Sequence, residues 1–144
     1  DAVLVAPVKN IAQDFQHLPL PECKETLQDV VGRCVELGKD LAPDDCKALL
    51  SFVLSVAALR CEGHRQLQWQ CLEIIGCAGR ATKASESPST RADLQSFFFK
   101  LAKKEVKTQR LWKPRVLVLM LQYVLRWSQA SGLETAAAES DGGE

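Results

Sequence analysis

Apolar residues recur at intervals of three and four along most of this chain, and the intervals break at prolines and glycines. Such spacing builds amphipathic helices, because residues three and four apart share one face of a 3.6-residue turn. Cys23, Leu27, Val30, Val31, Cys34 and Val35 form one stripe, opened by Pro21 and ended by Gly38, and predict a helix over 21–38. Glu22 and Glu25 stand where its dipole favours acids. After Pro43, with Asp44 and Asp45 as cap and first-turn acids, ALLSFVLSVAAL predicts a buried helix over 44–61. Leu67, Cys71, Ile74, Ile75 and Ala78 mark a helix over 64–79, which Gly76 and Gly79 are expected to end. The stretch RATKASESPST, residues 80–90, has no apolar period and reads as a flexible loop, with Ser89 or Thr90 to cap a helix over 90–109. A short helix over 7–16 fits between Pro7 and Pro19.

The most apolar stretch is Pro114 to Trp127, PRVLVLMLQYVLRW, where twelve of fourteen residues present hydrocarbon if Arg126 is counted by its stem. No rotation gives that helix, over 114–131, a fully polar face, so the pattern predicts burial on all sides. At about 1.5 Å per residue it is roughly 21 Å long, short of the roughly 30 Å core of a bilayer, so the burial is expected in protein and no membrane span is predicted. Gly132 is its expected terminator, and residues 132–144 read as a disordered acidic tail. No segment alternates at period two, so the class is all-α: one domain over 1–131, of five to six antiparallel helices, as stacked hairpins or a compact helical bundle. Alternate predicted helix starts, near 21, 44, 64, 90 and 114, lie 43, 46 and 50 residues apart. With prolines near starts at Pro21, Pro43 and Pro114, the chain resembles the HEAT and armadillo helical repeats over residues 21–131. That resemblance implies a scaffold that binds proteins on an exposed face.

Composition changes the picture in two places. The chain has 144 residues, 47% of them hydrophobic, enough for a core without covalent staples, and it contains six cysteines. Cysteines spaced like leucines read as packing, which points to a cytoplasmic or nuclear protein with free thiols; the rival is a secreted disulfide-bonded helical-bundle ligand. Net charge is zero, yet it is unevenly spread. Lys100, Lys103, Lys104, Lys107, Arg110, Lys113 and Arg115 face only Glu105 in that stretch, a local balance of 7 − 1 = +6. This basic shoulder, with Trp112, is the first candidate contact, suited to an acidic protein partner. Nucleic acid is the alternative partner, weakened by the lack of interleaved aromatic residues.

Trp69 falls off its helix's apolar stripe and is the second candidate contact. Cys61 and His64, three apart, are the only close cysteine and histidine and suggest neither a structural metal site nor a nucleophile by themselves. No phosphate loop or nucleophile elbow is present, so no catalytic residue, cofactor or metal is expected. His17 reads as a hydrogen-bonded structural residue. Ser87-Pro88 has the minimal form of a proline-directed phosphorylation site. The expected function is therefore a non-catalytic interaction domain of a larger intracellular protein or complex, with a nucleic-acid-binding helical module and the secreted ligand as alternatives.

Overall fold

The structure is a computed structural model that describes residues 1–109 and 114–133, with only the backbone of Gln109 and Val116. It is all-α among the described residues. Helix α1, Val5–Asp14, runs into a 3₁₀ turn, Phe15–His17; α2 spans Leu20–Leu37 and ends in a second 3₁₀ turn, Gly38–Asp40. One rod then comprises α3, Pro43–Phe52, a π turn, Val53–Ala57, and α4, Ala58–Cys61. Helices α5, Arg65–Ala84, α6, Pro88–Gln109, and α7, Pro114–Ser131, complete the bundle.

Helix stops follow the sequence chemistry in most places. Gly63 and Gly132 take positive φ, 81° and 79°, the left-handed backbone that residues with a Cβ resist. The π turn inserts one extra residue, so both Val53 and Leu54 face the core and the buried stripe continues through Ala57 and Cys61. Pro88 supplies the first turn of α6, and Ser87 caps it: its Oγ accepts the Thr90 N–H at 3.2 Å. The cap is thus Ser87 rather than Ser89 or Thr90.

The bundle is arranged around α5, which packs against α2, α3, α6 and α7. This corrects the expected end of that helix at 79 and the loop expected over 80–90. Gly76 and Gly79 do not break α5; they let α7 approach it. A Cβ on Gly79 would sit 2.7 Å from the Ala130 Cβ, and one on Gly76 would meet the Arg126 guanidinium at 2.8 Å. With Ala78 and Ala81 also buried, small side chains give α5 a thin profile on several sides. Glu73 and Gly76 meet Arg126 while Gly79 meets Ala130, so α5 and α7 run parallel and in contact, and α6 carries the chain back from the end of one to the start of the other. The connection after α5 is left with Ser85 to Ser87, where Arg91 Nη1 donates to the Ser85 carbonyl.

Helix α7 departs from expectation in the opposite sense. Leu119, Met120, Tyr123 and Trp127 are buried, but Val118, Leu121 and Leu125 are 52%, 62% and 56% exposed. The described helices cover only one side of it. Val35, placed in the α2 stripe, is likewise exposed, and the stripe closes on Cys23, Leu27, Val30 and Cys34.

Two polar contacts that the apolar pattern does not reveal tie the N-terminal segment down. Asp45 is fully buried at the third position of α3; its Oδ2 accepts the Ala42 N–H at 3.1 Å and its Oδ1 accepts the Val3 and Leu4 N–H groups at 3.0 and 2.8 Å. Arg60 donates to the carbonyls of Phe15, Gln16 and Leu18 at 2.7 to 2.8 Å, capping the 3₁₀ turn after α1. His17, read as a hydrogen-bonded residue, is exposed, and no side-chain hydrogen bond engages it among the described residues.

Candidate interaction surface on α6 and α7

The one acid of the basic shoulder is withdrawn from solvent. Glu105 is 6% exposed, on the same side of α6 as the buried Leu94, Phe98 and Ala102. Lys100, Lys103, Lys104 and Lys107 are all exposed, and no salt bridge engages them among the described residues. The charge presented to solvent here is therefore more one-sided than the residue count suggests. Arg115 is exposed at the start of α7, beside Arg65 and Gln68 of α5 and Val118 and Gln122 of α7. Arg110, Trp112 and Lys113 lie outside the described residues.

Beside the lysines lies a feature that charge alone does not announce. An open groove of about 600 Å³ separates α6 from α7, lined by Phe99, Ala102 and Val106 on one side and Leu117, Met120, Leu121 and Val124 on the other. Lys103 and Lys107 form its α6 lip. Their four-carbon stems extend the apolar lining while the ammonium groups stay in water. Leu121 forms the α7 lip, and Leu125 and Val118, one turn to either side, carry exposed hydrocarbon beyond it. A cluster of this kind on a water-exposed helix has a free-energy cost that a partner can relieve.

The sequence separated these residues in two ways. Phe99 neighbours the basic row in sequence, which leaves open whether it packs inward or makes contacts; it is half-buried on the groove wall, edge-on to Phe98 at 5.2 Å. The leucines of α7 were assigned to the core because the helix is apolar all round. Their exposure depends on how many other helices reach them, which no local pattern encodes.

Trp69 stands apart. It is 60% exposed on α5, as its position off the stripe implies, and it does not line the α6–α7 groove. Ser87 is half-buried, its hydroxyl engaged by the Thr90 N–H and 3.0 Å from the Ser89 Oγ, so this serine has a structural task in starting α6.

All six cysteines are free and buried. Cys61 turns inward to meet the Cys71 Sγ at 3.4 Å, whereas His64 is exposed, so the two side chains do not converge. One thiol is chemically distinct. Cys77 is held below the ordinary thiol range, to about 6, by the hydrogen bond from the Cys34 thiol and then by Arg80, whose Nη2 lies 3.3 Å from its Sγ. Cys34, losing its proton last, is raised correspondingly by the same contact and by burial. Among the described residues, no helix is long and apolar enough to cross a membrane. No family model, curated protein or solved structure matches the chain.

Proposed function

We propose that this chain is a non-catalytic protein-binding domain of a larger protein or assembly, and that its contact surface is the α6–α7 face. The observation that carries this reading is the adjacency of an apolar groove and an uncovered leucine ridge to four exposed lysines with no exposed acid among them. Apolar area supplies affinity by leaving water, and one-signed charge beside it speeds encounter and selects partners of opposite sign. Trp69 provides a second, separate contact residue. Six buried free thiols fit a reducing, cytoplasmic or nuclear compartment.

Nucleic acid is the second reading, favoured by the lysines. It leaves the ridge of Val118, Leu121 and Leu125 without an occupant, since phosphates do not cover hydrocarbon. Capture from nuclease-treated cell extract separates the two. The wild-type chain is expected to retain a stoichiometric protein band, and Leu121→Asp and the triple charge reversal of Lys103, Lys104 and Lys107 to glutamate are each expected to reduce it roughly 10-fold or more. Amide exchange of the complex should be slowed over residues 99–107 and 117–124. Retention that ignores both variants, or that vanishes with nuclease alone, overturns the proposal.

A further inference from the structure

The groove also restricts what can occupy it, and the restriction rests on the protein-binding reading above. At one end α6 and α7 are clamped together. The Phe98 and Trp127 rings stack with centroids 4.7 Å apart and planes 7° from parallel. Trp127 Nε1 donates to Gln95 Oε1 at 2.7 Å, and Gln95 Nε2 donates to Ser131 Oγ at 2.9 Å. Toward the other end lies the groove, lined from Phe99 to Lys107 on α6 and from Leu117 to Val124 on α7.

Both walls are helices, whose backbone N–H and C=O groups are satisfied within each helix. An extended peptide would find no strand edge to pair with and would bury its own backbone polar groups against hydrocarbon. A polyproline segment needs a series of aromatic rings, and among the described residues the groove offers Phe99 alone. A helix brings its backbone hydrogen bonds with it. The walls also have a definite length: from Phe99 to Lys107 is about 12 Å, and from Leu117 to Val124 about 10 Å, at the rise of an α-helix. That length takes two turns of an occupant, so its anchors fall at i, i+3 or i+4, and i+7.

The two lips differ in chemistry. The α6 lip is cationic, through Lys103 and Lys107, with Lys100 and Lys104 exposed on the same helix. The α7 lip is apolar, through Leu121. An occupant that satisfies both has an apolar stripe with an acidic edge on one side only. We infer that the α6–α7 groove receives an amphipathic α-helix of a partner protein, apolar at i, i+4 and i+7 and carrying aspartate or glutamate on the edge that meets Lys103 and Lys107. A bilayer surface shares this mixture of hydrocarbon and anionic charge, but it covers convex faces and leaves a concave groove unfilled.

The test is a selection from a library of random 16-residue peptides displayed against the wild-type chain, with counter-selection against Leu121→Asp. Selected peptides are then synthesised with a fluorophore and measured by anisotropy. The expected result is enrichment of sequences with helical apolar spacing and acids on one edge. A central proline should weaken such a peptide 10-fold or more. Lys103→Glu with Lys107→Glu should weaken it by a similar factor, and exchanging the peptide's acids for lysine should restore binding to that double variant alone. Enriched sequences without helical spacing, indifference to the charge exchange, or no enrichment that depends on Leu121 overturns the inference. So does a Leu121-dependent dimer of the wild-type chain in sedimentation, or Leu121-dependent binding to vesicles of three parts phosphatidylcholine to one part phosphatidylserine. If capture from extract depends on Leu121 while the peptides disobey these rules, the helical occupant falls and the protein-binding surface stands. If neither depends on Leu121, both fall.

Discussion

Single polar residues hold parts of this molecule that hydrophobic burial does not. Asp45 is the clearest, because one carboxylate answers three backbone N–H groups from two segments: Val3 and Leu4 at the N-terminus and Ala42 before α3. Hydrogen bonds to a buried charge are each stronger than neutral ones, and removing their acceptor leaves the donors unsatisfied. Asp45→Ala is expected to cost about 3 kcal/mol of unfolding free energy in urea, with faster amide exchange at Val3 and Leu4. Asp45→Asn keeps an acceptor oxygen and should lose less. An acid following Pro43 does mark a helix start in the sequence, and that much was legible. Its long-range partners, 42 and 41 residues away, were not, since a side chain's capacity to accept hydrogen bonds says nothing of which donors arrive.

At the scale of elements, α5 and α7 exchange the parts their composition suggests. The helix richest in hydrocarbon is half-covered, and the one interrupted by two glycines is central. Gly76 and Gly79 carry no side chain, so α7 can lie close enough for Ala130 and Arg126 to touch the α5 backbone. Glycine's low helix propensity, roughly 1 kcal/mol against alanine, is here outweighed by the packing it permits. The two faces of α7 should respond differently to mutation. Leu121→Asp, on the exposed side, is expected to change stability by no more than about 0.5 kcal/mol. Trp127→Ala removes a fully buried ring stacked on Phe98 and should cost about 3 to 5 kcal/mol, both read from urea midpoints at constant m-value. A large loss at Leu121 would mean that this side of α7 is covered after all.

For the molecule as a whole, the buried thiols make stability depend on pH. Cys77 has a folded-state pKa of about 6, below the ordinary value of 9.0, so between these values the folded chain has released a proton that the unfolded chain still binds. Stability therefore rises with pH across that window and is lost as pH falls through about 6. Cys34, raised, gives the opposite slope above 9.0. Urea titrations under reducing conditions between pH 6 and 9 should show the rise in the wild type and a flatter profile in Cys77→Ser. The six cysteines were recognisable from their spacing as core residues, and all six are buried. That Cys34 and Cys77, forty-three positions apart, act on each other's ionisation depends on α2 packing on α5, which spacing does not record.

What the sequence determined was the all-α class, the starts near Pro21, Pro43 and Pro114, the stops at Gly38, Gly63 and Gly132, and the inward stripes of α2 and α5, because each follows from interactions within one or two turns of chain. It also marked the lysines of α6 as an exposed basic row, and placed Trp69 off its helix's apolar stripe without deciding between an outward contact and packing in a second core. Only the tertiary structure decided which helix lies at the centre and which apolar face stays open. The hydrophobic effect is non-directional and proportional to area, so it ranks helices by how much surface they need to bury and is silent on which neighbour buries it. That choice is made by shape, through the thin α5 backbone at Gly76 and Gly79 and the clamp of Gln95, Phe98 and Trp127, and the groove beside Lys103 and Lys107 is what this packing leaves uncovered.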